Sequence, residues 1–276
     1  MTIKALAIGN SVCLAIHIVF SYLSQTGVFN GVTIGDVSDK YETLFTPAGI
    51  TFSIWGLIYL SLAGFCIYHS IKAFTRTEEH GANRDLRKAG YLLMIVNLSA
   101  ALWVLAWTYD YIFASLLLMI TQLILLFTLS QKLNIHNARR SIKSKLFTQI
   151  PVSLFYGWIT LAFFANTASF LVSLNWNGWG ISAINWTITL IAFIMLITLG
   201  ILNRRRNVVF GMVIIWGLYG IILKRTDLGA MEFQPIIWVA WGCIGIIAIG
   251  IFFALLRNLR IRRDPNSEEI RINKPG

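Results

Sequence analysis

The sequence predicts an all-α protein, a polytopic transmembrane helical bundle of about eight spans. Three observations predict it. Of 276 residues 57% are hydrophobic and only 13% charged, with mean hydropathy +0.69, more apolar surface than a water-soluble domain needs for its core. The apolar residues fall in runs about a bilayer thick, and nothing reads as alternating ten-residue strands. All twelve carboxylates lie between those runs or in the tails, and no span carries a carboxylate, lysine or arginine at its centre. Because lipid offers the backbone no partners, each segment must satisfy its own N–H and C=O groups as a helix.

In chain order the spans are expected at about 5–24, 48–70, 90–108, 111–131, 147–172, 181–202, 207–223 and 235–256. The first lacks an AxA-like cleavage site and is followed by more spans, so it is expected to be a retained helix. Asn10, His17, Ser21 and Ser24 form one polar stripe along it. The second follows Pro47, a residue suited to a helix's first turn, and sets Thr51, Trp55 and Tyr59 at i, i+4 and i+8 on a face that wants something other than lipid. In the third, Asn97, Ala100, Trp103 and Trp107 share roughly a third of the circumference. In the fifth, Trp158, Ala162, Asn166, Ser169 and Ser173 repeat at helical spacing. The span 207–223 is the shortest, and the basic tail 257–276 is expected to be unstructured.

Lysine and arginine set the orientation. With both termini cytoplasmic, all basic residues except Lys40, Lys224 and Arg225 of the 23 fall on the inner side. That distribution accounts for the net charge of +11 as juxtamembrane anchors against anionic lipid, with no nucleic acid as partner. The expected location is therefore a multi-pass place in a membrane, the plasma membrane of a bacterium. Cys13, Cys66 and Cys243 lie in apolar runs and read as small hydrophobes rather than a disulfide framework or metal site. The missing midplane charges argue against ion-driven pumping.

Counting depth at about 1.5 Å per residue puts Trp55, Trp103 and Trp158 roughly 15–20 Å above the inner face, with Tyr59 and His17 near that level. Polar-aromatic side chains at one depth on different helices suggest a shared chamber that opens toward the outer side, below Trp107, Asn166 and Asp110. His17 reads as a hydrogen-bonded core histidine and His69 as an interfacial one, rather than as metal ligands. Trp176, Trp179, Trp186, Trp238 and Trp241 belong to the outer boundary.

These residues resemble the TspO/MBR family, the tryptophan-rich sensory proteins that include the peripheral benzodiazepine receptor. The family's second-helix pattern is matched by Pro47, Trp55 and Ile58–Tyr59, and its fifth-helix pattern by Trp158, Ala162 and Asn166. Asn97 and Trp103 correspond to its third-helix pair at a longer spacing, and the roughly 23 residues from Gln25 to Pro47 to its capping first loop. The double proline is reduced to Pro47-Ala48. The resemblance covers roughly 1–172, which implies a five-helix ligand-binding core, followed by a three-helix extension over 173–256 and the tail.

What the resemblance implies is a sensory or regulatory receptor that binds a flat apolar ligand, porphyrin- or tetrapyrrole-like, between its helices. The site residues expected are Trp55, Tyr59, Asn97, Trp103, Trp158 and Asn166, with Asp39 and Lys40 on the lid. Lys40, Lys224 and Arg225 are the cations that could meet porphyrin carboxylates. No cofactor is required, a haem-like ligand being the one to consider. The alternative is a facilitative carrier or exporter of small lipophilic molecules, so that transport is weighed beside binding. An enzyme is not expected, because the spans hold no carboxylate pair, activated nucleophile or metal cluster; light-dependent porphyrin chemistry stays open. Beyond the ligand, the expected partners are membrane lipid and, left open by the sequence, a second copy in a homodimer.

Overall fold

The computed structural model describes residues 1–135 and 137–263, so His136 and the predicted tail from 264 lie outside the described residues. Its helices are α1 (Ile3–Leu23), α2 (Ile34–Lys40), α3 (Ile54–Thr75), α4 (Gly81–Ala89), α5 (Leu92–Thr108), α6 (Ile112–Lys132), α7 (Ile142–Ser144), α8 (Ile150–Ser173), α9 (Ala183–Arg205), α10 (Val208–Asp227) and α11 (Gln234–Arg263). There is no strand among the described residues. Seven helices are long and apolar enough to cross a membrane, and α5, bent by 50° from α4, makes an eighth span if that pair is counted as one. The eight expected segments therefore correspond to α1, α3, α5, α6 and α8 to α11. The last of these continues to Arg263, so residues 257–263 of the predicted tail are helical.

The bundle is arranged around α8. Within its span 72% of the most apolar stretch is buried, against 22% for α9 and α11, which turn most of their surface toward lipid. On one side of α8 stand α6 and α3, with α5 and α1 completing that half; on the other α10 packs against it, backed by α11 and α9. Small residues permit the approach of α10. A Cβ on Gly217 would come within 2.3 Å of Leu161, and one on Gly157 within 2.9 Å of Val213. Without a hydrophobic drive between helices in lipid, such close van der Waals packing is what holds them together.

Two short helices escape the apolar pattern. In the first loop, Thr33 and Asp36 form a capping box that starts α2, and the Thr33 N–H and hydroxyl bonds hold the Asp36 carboxyl below its ordinary pKa. At the far end of the bundle α4 folds back over α3 and covers His69, which is buried rather than interfacial as its position suggested. Its Nδ1 donates to the Ala82 carbonyl at 3.0 Å, which leaves Nε2 to accept from Thr148, 3.1 Å away. Asp85 on the same helix pairs with Arg140 in a buried contact.

The second predicted span starts differently from its spacing. Residues 49–53 form a 3₁₀ turn, and α3 begins only at Ile54. A 3₁₀ turn advances its residues by about 120° rather than 100°, so Thr51 leaves the Trp55–Tyr59 face. It is buried against α10 instead, where the Trp216 indole donates to its carbonyl at 2.9 Å.

Candidate functional site: an aromatic cavity beneath the first loop

A cavity of about 670 Å³ lies between α1, α3, α5, α6, α8 and α10, roofed by the first loop. Its aromatic wall comes from separate helices. Trp55 and Trp158 meet edge to face with ring centroids 6.2 Å apart, and Tyr59 stacks on Trp55 at 5.3 Å. Phe52 closes on Trp158 at 5.7 Å. Across the space Trp103 stacks on Trp107 at 5.4 Å. The stripe on α8 lines the cavity through Trp158, Ala162, Asn166 and Ser169, and that on α5 through Ala100, Trp103 and Trp107. Helical periodicity of one face is the reason these residues arrive together.

A polar chain runs along the α1 side. His17 Nδ1 lies 3.0 Å from Asn97 Oδ1; because Asn97 Nδ2 already donates to the Leu93 carbonyl, the ring nitrogen is the donor. His17 Nε2 is then an acceptor 3.4 Å from the Tyr59 oxygen, but the one Tyr59 hydroxyl proton goes to Ser21 Oγ at 2.7 Å, so Nε2 has no proton from Tyr59 in this arrangement. His17, Tyr59 and Ser21 line the cavity. His17 is thus the hydrogen-bonded core histidine its sequence context indicates, and also part of the wall. Asn166 pairs with Ser115 on α6 at 3.1 Å. The Trp103 indole N–H is buried and finds no acceptor among the described residues.

Of the expected site residues, Trp55, Tyr59, Trp103, Trp158, Asn166 and Asp39 line the cavity. Asn97 and Lys40 do not. Asn97 stands behind His17, and the Lys40 ammonium is turned to Asp110 at 2.5 Å, a bond that raises its pKa above the ordinary 10.5. Sequence reasoning did not anticipate Met119 and Gln122 of α6, nor Gly217 and Ile221 of α10, whereas Lys224, expected as a cation at the outer mouth, does line the cavity. The amide of Gln122 inside an apolar run was a usable signal. The α10 residues gave none, because glycine and isoleucine are ordinary in a span.

The roof is tied down on three sides. The Trp107 indole donates to the Ile34 carbonyl at 3.1 Å, and Asn30 donates to the Thr108 carbonyl at 3.1 Å. Ser169 on α8 donates to the Tyr41 carbonyl at 3.2 Å. Toward α10, Glu42 meets Lys224 at 3.0 Å and the fully buried Arg225 at 3.3 Å. The bond from Lys224, foremost, and the Arg225 charge hold the Glu42 carboxyl below its ordinary 4.5. All charge near the cavity therefore sits at the roofed end, with Asp39 and Lys224 on its wall.

The remaining tryptophans stay away from the cavity. Trp176, Trp179 and Trp186 cluster at 5.2–6.2 Å beside the turn into α9, while Trp238 and Trp241 are exposed on α11.

Among known proteins, the family model described as TSPO-like protein matches residues 7–253, from α1 into α11 and through the helices beyond α8. No curated protein and no solved structure matches the chain.

Proposed function

The chain belongs to the TSPO-like family of membrane proteins, and from that premise we propose that it is a sensory or regulatory receptor for a flat, largely apolar ligand of tetrapyrrole-like shape. One observation carries the proposal: the 670 Å³ cavity with indole faces from α3, α5 and α8. That volume falls in the range of small-molecule sites, about 300–1,000 Å³. Rigid indole and phenol faces suit a conjugated ring, and they lose little conformational entropy on contact. The deep wall is uncharged and the roofed end carries both Asp39 and Lys224, the latter held by Glu42, which supports a ligand with an apolar body and a polar edge directed at the roof. The Trp103 N–H is a donor such a ligand could satisfy.

Binding, rather than catalysis or passage, is the reading these features support. Below the cavity the bundle is filled by Leu62, Phe65, Leu126, Leu129, Val152 and Phe155, all buried. The distribution of lysine and arginine supports a cytoplasmic far end with the roof on the outer side, in a bacterial plasma membrane.

Quenching of intrinsic tryptophan fluorescence by protoporphyrin in detergent tests the proposal. Trp55→Phe and Trp158→Phe should each weaken the titration several-fold, since an aromatic contact contributes on the order of 0.5–1.5 kcal/mol. Unchanged affinity in both variants would put the site elsewhere. In the same preparation reconstituted into liposomes, porphyrin flux should not exceed that of empty vesicles; facilitated flux would favour the carrier.

A further inference from the structure

A second cavity, about 300 Å³, opens between α6 and α9 at the end of the bundle opposite the roof. Phe127 on α6 and Ile197 on α9 flank it, with Tyr156 of α8 as its floor. The two flanking helices are held by other neighbours: α6 by α5 and α8, α9 by α11 and α10. Gly200 borders open space, because a Cβ there would meet nothing within 4 Å. At the mouth stand Arg204 and Arg205, both exposed, on the last turn of α9. Neither has an acidic partner among the described residues. At this same end Glu78 is taken by Arg87 and Asp85 by Arg140.

We infer that this cleft is a binding site for an anionic phospholipid, with an acyl chain along Phe127, Ile197 and Gly200 and the phosphate between the two guanidiniums. Two features select that occupant over others. Phe127, Ile135, Tyr156, Ile197 and Ile201 make one side of the lining apolar, with Ser130, Gln131 and Asn207 as its uncharged polar members, and α6 and α9 carry exposed apolar residues beside it, so an acyl chain suits the inner part. The two arginines, without an acidic partner among the described residues, lie where a span ends, at headgroup depth, and their forked donors match phosphate oxygens. A zwitterionic lipid would bring its own cation against them and lose that advantage. The arginines would also hold the lipid against α9, filling a gap that protein leaves unpacked. The site shares no residue with the roofed cavity, so the two assignments stand or fall separately.

Native mass spectrometry of the full chain, released from detergent with phosphatidylglycerol or phosphatidylcholine of identical chains, tests the inference. Retention of phosphatidylglycerol should exceed that of phosphatidylcholine by roughly tenfold, and Arg204→Gln with Arg205→Gln should remove that preference. Gly200→Phe should block the cleft and reduce retention with both arginines in place. Inorganic phosphate should not displace the lipid. Equal retention of the two lipids, retention unchanged in Gly200→Phe, or displacement by phosphate alone would each overturn the site. Thermal unfolding midpoints within a few degrees of the parent confirm that the variants are folded, and if the arginine pair fails there, Gly200→Phe decides.

Discussion

The Asn97 side chain is committed at both ends, its amide to the Leu93 carbonyl at 2.9 Å and its oxygen to His17 at 3.0 Å. Both residues are buried, so no water can replace either partner. Asn97 therefore fixes which His17 nitrogen faces Tyr59, and with it the hydrogen-bonding character of the cavity wall. Replacement by leucine, of similar volume, leaves the His17 Nδ1–H without an acceptor. We expect Asn97→Leu to cost about 1–3 kcal/mol in thermal or denaturant unfolding, the usual cost of an orphaned buried donor. Ligand titration should change as well, through reorientation of His17 and Tyr59 rather than loss of a direct contact. A variant as stable as the parent would mean that the His17 ring can turn to find another partner.

Elements join where glycine lets backbone meet side chain. On α10, Gly220 presents its carbonyl to the Ala48 N–H at 2.9 Å, and a Cβ there would fall 2.0 Å from Thr51 Oγ1 and 2.9 Å from Thr51 Cβ. No rotamer of threonine escapes both, so the 3₁₀ turn would have to move. Gly220→Ala should lower stability by about 1–3 kcal/mol, the range for overpacking, and Thr51→Ala in the same chain should restore part of it in the unfolding midpoint. The junction also shows what periodicity can and cannot reveal. The eight long segments were legible because lipid imposes an apolar run on every span, and the faces of α5 and α8 because a helix repeats its face. Thr51 was misread because a 3₁₀ turn has a different period, and α2 and α4 were missed because short polar helices need no apolar run. The part played by α10 was invisible for another reason: Gly217 and Gly220 matter through proximity to α8 and to the 3₁₀ turn before α3, which no local pattern encodes.

Across the whole molecule the first loop ties the N-terminal half to α10, and Glu42 is the knot. It faces both Lys224 and Arg225, and the Arg225 side chain is only 1% exposed, so its charge depends on Glu42 and on the Phe233 ring below it. The pKa of Glu42 is lowered from 4.5, chiefly by the Lys224 bond. A carboxylate lowered on folding contributes its stability above its unfolded value and loses it as pH falls through the folded one. That of Lys40 is raised above 10.5 by its bond to Asp110, which bears only on the alkaline side, where the lysine keeps its charge longer than usual. Acid should therefore release the α10 side of the roof. Hydrogen exchange over residues 41–47, corrected for intrinsic rates, should accelerate as pH falls below the ordinary 4.5 and Glu42 takes up its proton. Glu42→Gln should show the fast rate already at neutral pH and lose the acid-dependent increase. If the parent and Glu42→Gln exchange alike at pH 7, the roof is held by its bonds with Trp107, Asn30, Ser169 and Asp110, and the ion pairs near Arg225 serve only to neutralise it.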